Sequence, residues 1–106
     1  MIKRDINKIP KPLSNPAAGV IADIIVHHKT TQSAASKAMG VAASLLNETI
    51  KNKRGVSADV ALRFQHCFGF PAKTLMALQA DYDFRKAYHA NFKDLENEVK
   101  PFAHSA

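Results

Sequence analysis

The sequence lacks the features of a disulfide scaffold and of a membrane protein. Its 106 residues include one cysteine and no tryptophan. A single cysteine, Cys67, excludes an internal disulfide framework and fits a reducing cytosol. No apolar run approaches the ~18 residues that a membrane-spanning helix needs. The basic start of the chain is not followed by an apolar stretch, so no secretory signal peptide is expected.

Recognisable catalytic and metal-binding motifs are also missing. The sequence has no glycine-rich phosphate loop and no grouping of serine, histidine and acid that suggests a catalytic site. Two pairs, His27-His28 and His66-Cys67, carry ligand-type side chains. Neighbouring helical residues point about 100° apart, so each pair offers at most one good metal ligand. No Cys-x-x-Cys or His-x-x-x-His spacing supports zinc. We therefore expect no enzyme activity, no metal and no cofactor.

The chain is short of acidic residues, and its basic excess is unevenly placed. It carries 15 Lys and Arg against 9 Asp and Glu, a net charge of +6. Residues 1–11 hold four basic side chains and one acidic, and residues 29–63 hold six and two. Residues 81–100 hold four and five. An excess of this kind favours an anionic partner, which would meet the first two segments rather than the third.

Residues 15–51 show the pattern of three capped or turned helices. Asn15 predicts an N-cap, with Pro16 at the first helical position. Thr31 predicts the N-cap of a second helix, and Gly40 supplies the left-handed residue that ends it. A third helix is predicted over residues 43–51, with Leu46 and Ile50 facing the core. Two short helices joined by a tight glycine turn are typical of a helix-turn-helix, which indicates double-stranded DNA as a partner.

A fourth helix follows a basic loop at residues 51–55. Ser57 predicts its N-cap, Asp59 lies near its positive end, and Gly69 closes it before Pro71 opens the next helix. Its inward face is predicted to be Val60, Ala61, Phe64, Cys67 and Phe68.

The last helical region is long, since neither proline nor glycine interrupts residues 72–99. At about 1.5 Å per residue it would reach roughly 42 Å, whereas a domain of this size has a radius of gyration of ~13 Å. It must therefore bend, break near residues 80–83, or project. One apolar stripe runs along it: Phe84, Tyr88, Phe92, Leu95 and Val99. The stripe either folds back on the domain or the N-terminal arm, or forms a partner or dimer surface.

These patterns divide the chain into three parts. Residues 1–14 form an N-terminal arm, because Pro10 and Pro12 disfavour a helix there. Residues 15–80 form the helix-turn-helix domain, and residues 81–106 a C-terminal helical extension.

Three segments carry a family resemblance. Residues 31–35, Thr-Gln-Ser-Ala-Ala, resemble the opening of a second helix. Residues 53–63, Lys-Arg-Gly-Val-Ser-Ala-Asp-Val-Ala-Leu-Arg, are similar to a Lys-Arg-Gly-Ile-Ser-x-x-x-Ala-Leu-Arg motif. Residues 78–83, Leu-Gln-Ala-Asp-Tyr-Asp, are similar to a Leu-Gln-x-x-Tyr-Asp ending. Because of these matches, the stretch from Asn15 to Tyr88 resembles the HigA-type or VapI-type antitoxins of the Cro/phage-repressor helix-turn-helix superfamily.

The resemblance implies an all-α, five-helix Cro/repressor-like domain, here with an extended N-terminal arm and a long C-terminal helix. It implies a cytoplasmic homodimer that represses its own operator and neutralises a HigB-type ribonuclease toxin. The chain departs from the family at the start of helix three, where Ala42 replaces a Ser or Thr cap that contributes roughly 1 kcal/mol. Ala43 and Glu48 stand where long polar or arginine side chains are common. The scaffold is kept better than the base-reading surface.

Candidate base contacts lie on the third helix of the chain. It is the second helix of the helix-turn-helix motif, and that helix enters the major groove. Asn47 can pair with an adenine edge, and Glu48 can accept from a cytosine amino group. Ala43 can touch only a thymine methyl, and Ser44 completes the set. Alternatively, Asn47 and Glu48 form a solvated face of a helix that no longer binds DNA.

Candidate phosphate contacts surround that helix: Thr31, Gln32, Lys51, Lys53 and Arg54. The alternative is a solvated basic turn. The arm residues Lys3, Arg4, Lys8 and Lys11 suit either a minor-groove arm or a basic tether for a toxin. Two other hypotheses remain for the whole chain: a protein-interaction module with weak or lost DNA binding, and a stand-alone regulator without a toxin.

Overall fold

The computed structural model describes residues 9–102, and this part of the chain folds into five α-helices without a strand. The helices are α1 Pro16–His27, α2 Gln32–Met39, α3 Ala43–Ile50, α4 Ala58–Phe68 and α5 Ala72–Glu98. The all-α, five-helix fold is confirmed. Three residues of the predicted basic arm, Lys3, Arg4 and Lys8, lie outside the described residues.

Local capping sets most helix boundaries. Asn15 Oδ1 accepts from the Ala17 amide at 3.0 Å, Thr31 Oγ1 from that of Ala34 at 3.1 Å, and Ser57 Oγ from that of Val60 at 3.2 Å. Each bond satisfies an amide that has no partner within its own helix. The predicted caps are therefore confirmed. α3 has Ala42 at its N-cap position and therefore no side-chain cap, as its sequence indicates.

Glycines and one glutamine complete the boundaries. Gly40 and Gly69 take left-handed conformations, with φ of 72° and 78°, and end α2 and α4. Pro71, which the sequence places at the opening of the last helix, occupies the N-cap position. Proline offers no side-chain acceptor there. Instead, Gln65 Oε1 in α4 accepts from the Ala72 amide at 2.7 Å.

The hydrophobic core joins all five helices. Its largest fully buried side chains are those of Phe64, Ile21, Leu46 and Leu75. The Phe64 ring packs against Phe68 with centroids 4.8 Å apart. The core lies between α1, the helix-turn-helix, α4 and the first two turns of α5. It therefore fixes the orientation of α2 and α3 from behind.

The prediction that Cys67 faces the core is wrong. Its side chain is exposed, whereas Val60, Ala61 and Phe64 on the same helix are buried. Cys67 lies at the edge of the inward stripe in the last turn of α4, and Phe68 occupies the half-buried position there. Helical spacing alone does not separate the edge of such a stripe from its centre.

The second half of α5 projects from the domain. The helix runs unbroken from Ala72 to Glu98, and its last buried residue is Gln79. The molecule extends 59 Å along its long axis but only 26 and 21 Å across. The length of this region allowed it to bend, break or project, and the structure shows that the helix projects. The division of the chain at residue 80 stays a prediction, since α5 passes through it. No described helix combines the length and apolarity required to span a membrane.

Candidate nucleic-acid interface

The turn between α2 and α3 is held by an arginine from α4. Arg63 Nη1 donates to the Met39 and Gly40 carbonyl oxygens at 3.0 and 3.3 Å. Its Nε donates to Asp59 Oδ2 at 2.9 Å, which orients the guanidinium. A Cβ atom at Gly40 would lie 3.0 Å from Arg63 Nη1. Glycine is therefore required here both for its left-handed φ and for the close approach of Arg63.

The exposed face of α3 carries the four predicted base contacts. Ala43 and Ser44 are exposed at its start, while Asn47 and Glu48 are partly exposed one turn later. Asn47 Nδ2 donates to Gln32 Oε1 at 3.1 Å, across the turn. That bond uses one amide hydrogen of Asn47. The second hydrogen and the carbonyl oxygen remain able to form the bidentate pair that an adenine edge offers.

Glu48 is paired with the basic loop. Arg54 Nε and Nη2 each lie 3.1 Å from Glu48 Oε1. Both side chains are about half exposed, so the pair adds little to stability. The effect of the pair is local, because the Arg54 guanidinium offsets the charge of the Glu48 carboxylate, which would otherwise repel phosphate. The structure thus brings together one predicted base contact and one predicted phosphate contact.

The loop between α3 and α4 presents the remaining cations. Lys51, Lys53 and Arg54 are all exposed in a segment without regular secondary structure. Asn52 has a φ of 63° and takes the left-handed conformation that glycine usually supplies at this point. Its Oδ1 accepts from the Asn15 amide at 3.1 Å, which ties the loop to the start of α1.

The start of α2 lies beside α3 and supplies the other predicted phosphate contacts. Thr31 and Gln32 are exposed. The Thr31 oxygen is engaged as the N-cap, so only its hydroxyl hydrogen remains for a phosphate. The Gln32 oxygen binds Asn47, which leaves its amide nitrogen as the donor. The first-turn amides of α2 lie at the same end of the helix and carry the positive end of its dipole, which attracts anions.

Sequence reasoning missed the buried glutamine behind this loop. Gln79 is 7% exposed and bonds Asn15, Val56 and Asp83. The signal was available, because Ala72, Leu75 and Gln79 fall at helical spacing and the third is polar. A cavity of about 580 Å³ adjoins it, lined in part by Lys53, Arg54, Tyr82 and Lys86.

The predicted apolar stripe remains largely uncovered in the described part of the chain. Phe84, Leu95 and Val99 are 56%, 51% and 60% exposed. Tyr88 contacts Phe84 and Phe92, with centroids 6.0 and 5.1 Å apart, so the aromatic rings form one row. The N-terminal segment reaches the helix beside this row, where His89 Nε2 donates to the Ile9 carbonyl oxygen.

No metal-binding constellation was expected, and residues 9–102 contain no group of three His, Cys, Asp or Glu side chains able to hold an ion. His27 and His28 instead lie edge to face, and His28 packs against Phe68.

Sequence comparison finds one curated relative. The chain is 39% identical over 54 residues to virulence-associated protein I of Dichelobacter nodosus. The match covers 51% of this chain, and the chain spans 50% of the length of that relative. No protein-family model matches the chain.

Solved structures match over a larger share. Antitoxin HigA of Pseudomonas aeruginosa, solved with the higBA promoter, superimposes with a TM-score of 0.74 at 30% identity, covering 82% of this chain and 96% of that one. A second Pseudomonas aeruginosa protein, in complex with its 28-bp operator DNA, gives a TM-score of 0.73 at 31% identity, covering 81% and 96%.

Proposed function

We propose that this chain, which belongs to the HigA-type antitoxin family, represses transcription by binding the operator of its own operon as a homodimer. The observation that carries the proposal is the exposed face of α3, flanked by the basic loop at residues 51–55. Two related structures contain promoter or operator DNA, which supports DNA as the partner. Such a repressor acts in the cytoplasm, and the proposal needs neither a cofactor nor an enzymatic step.

In the proposed complex, phosphate contacts provide most of the affinity. Lys51, Lys53 and Arg54 would bind one stretch of backbone, and Thr31 with Gln32 would bind another. Base contacts would come from Ser44, Asn47 and the paired Glu48, with Ala43 against a thymine methyl. Because this set is small, DNA shape would contribute to specificity.

Replacing Asn47 by alanine should reduce discrimination rather than general affinity. We expect Asn47→Ala to bind the operator about tenfold more weakly, since one bidentate base pairing contributes about 1–3 kcal/mol. Binding to scrambled DNA should stay unchanged. Fluorescence anisotropy with both DNAs measures the ratio of operator affinity to scrambled-DNA affinity. Asn91→Ala, the same change at an exposed position of α5, is the control. Equal ratios for the two variants would remove Asn47 from the base contacts.

We also propose that the chain neutralises a HigB-type ribonuclease toxin by direct binding. The antitoxin names of its structural relatives support this role. The projecting half of α5 offers the contact surface, since Phe84 of its aromatic row is exposed, Tyr88 and Phe92 are only partly buried, and the domain core does not cover this part of the helix. The same row would serve a second copy of the chain if it forms the dimer.

The apolar stripe can be tested with two matched double variants. Phe84→Ser with Phe92→Ser should abolish either dimerisation or toxin neutralisation, because two anchors of the row are lost. Ala90→Ser with Lys93→Ser changes exposed positions of the same helix and should affect neither. Sedimentation velocity reports the oligomeric state, and inhibition of the adjacent gene's ribonuclease reports neutralisation. If both functions survive in the first variant, the stripe is not the partner surface.

One alternative has a specific observation in its favour. α3 lacks a side-chain cap, and alanines occupy both its N-cap and its first helical position, which weakens the case for a sequence-reading helix. A protein-interaction module with weak or lost DNA binding would have these features. It would bind operator and scrambled DNA with equal strength. A stand-alone regulator would instead bind its operator but have no toxin gene beside its own.

A further inference from the structure

We infer that Gln79 is a positioning residue for DNA binding, because it binds the chain at Val56, directly after the basic loop, and so holds the loop in the conformation that presents Lys53 and Arg54. The inference rests on the proposed operator binding and adds to it a residue on α5 that would not itself touch DNA.

The Gln79 side chain joins three separate parts of the chain. Its Oε1 accepts from Asn15 Nδ2 and from the Val56 amide, each at 2.7 Å. Its Nε2 donates to Asp83 Oδ1 at 2.9 Å. The orientation of the amide is determined, because the Asp83 carboxylate only accepts, whereas the Val56 amide and Asn15 Nδ2 only donate. While residue 83 is an aspartate, a side chain without both an acceptor and a donor cannot replace it.

The basic loop is held on both sides of Lys53 and Arg54. On one side, Asn52 Oδ1 accepts from the Asn15 amide at 3.1 Å. On the other side, the Val56 amide donates to Gln79. A Cβ atom at Gly55 would lie 2.9 Å from Gln79 Nε2, so the backbone passes directly over the glutamine amide. Lys53 and Arg54 lie between these fixed points and have no secondary structure of their own.

The position of the loop also affects the base-reading helix. Arg54 pairs with Glu48 on α3, so displacement of the loop would leave the Glu48 carboxylate without its cation. Loss of Gln79 should therefore weaken phosphate contacts and increase repulsion at the centre of the interface. A residue with a purely structural role would lower the stability of the fold without changing the number of phosphate contacts.

Gln65 provides a matched control. Its side-chain oxygen also accepts one backbone amide at 2.7 Å, but that amide belongs to Ala72 at the start of α5. We expect Gln79→Ala to bind the operator about tenfold more weakly than wild type, because a displaced loop would lose phosphate contacts of Lys53 and Arg54. The slope of the logarithm of its binding constant against the logarithm of the salt concentration, the log–log salt slope, should be shallower by about one to two units. Gln65→Ala should keep the wild-type slope and affinity at a temperature where both variants are folded.

A donor exchange tests the geometry directly. Gln79→Glu places a carboxylate against Asp83 and should weaken operator binding. Adding Asp83→Asn supplies an amide donor at position 83, so the double variant should recover to within about threefold of wild type. Asp83→Asn alone retains Gln79 and its acceptor contacts, and should change binding less than Gln79→Glu.

Hydrogen exchange of the Val56 amide separates this inference from the proposed function. In the free protein, that amide should exchange at least about tenfold faster in Gln79→Ala than in Gln65→Ala. Failure of the wild-type protein to bind its operator would refute the proposed function, while faster exchange would still show that Gln79 holds the loop. Equal Val56 exchange in the two variants, or an unchanged salt slope in Gln79→Ala, would overturn the inference.

Discussion

Replacing both Lys53 and Arg54 by alanine should weaken binding to operator and scrambled DNA alike, by about 10- to 100-fold at ~0.1 M salt. Both side chains are exposed in the loop that follows α3, where the phosphate backbone would pass. Phosphate contacts carry no sequence information, so the ratio of operator to scrambled binding should change little. The log–log salt slope should flatten by about two units, about one for each cation removed.

The two single variants should differ. Arg54→Ala removes a cation and also leaves Glu48 without its partner, so it should cost more affinity than Lys53→Ala. The control is Lys73→Ala with Lys93→Ala, which removes the same net charge from exposed positions on α5. Filter binding across a salt series measures both affinity and slope. An equal loss in the control would mean that net charge alone, and not this loop, governs binding.

Phe64→Ala is expected to cause the largest loss of stability, about 3–5 kcal/mol. The ring is 0% exposed in α4 and packs against Phe68, which in turn contacts His28 at the C-cap of α1. A domain of this size has a total free energy of unfolding of about 5–15 kcal/mol. The melting temperature should therefore fall by at least about 12 °C. Operator binding should be lost over the same temperature range, since the core orients α2 and α3.

Leu62 lies two residues away on the same helix and provides the comparison. It is 54% exposed, so Leu62→Ala should change the free energy of unfolding by no more than about 0.5 kcal/mol. Urea unfolding followed by circular dichroism gives both values. Similar losses for the two variants would contradict the placement of Phe64 at the centre of the core.

The sequence was sufficient for features that depend on neighbouring residues. Asn15, Thr31 and Ser57 each cap an amide two or three positions ahead, and Gly40 ends α2 by its own left-handed φ. Such signals act within one turn of chain, so they can be recognised without a fold. The same reasoning located the basic loop and the exposed face of α3.

Contacts between distant residues could not be predicted in this way. Gln79 binds Asn15, 64 residues away, and the Val56 amide, 23 residues away. The Leu-Gln-x-x-Tyr-Asp motif can be recognised in the sequence, but only packing shows that its glutamine is buried behind the basic loop. The sequence shows the charge of Glu48, but only the fold shows that Arg54 lies beside it. The prediction for Cys67 was wrong because helical spacing does not show how far the buried stripe of α4 extends.

Sequence-specific DNA binding by α3 and the basic loop is tested most directly by titrating the wild-type protein. The DNA upstream of its own gene and a scrambled duplex of equal length should be compared from low to physiological salt. The account predicts preferential binding to the upstream DNA, by a factor of about 10³ or more, with a steep decrease in affinity as salt rises. Binding of equal strength to both duplexes would contradict it.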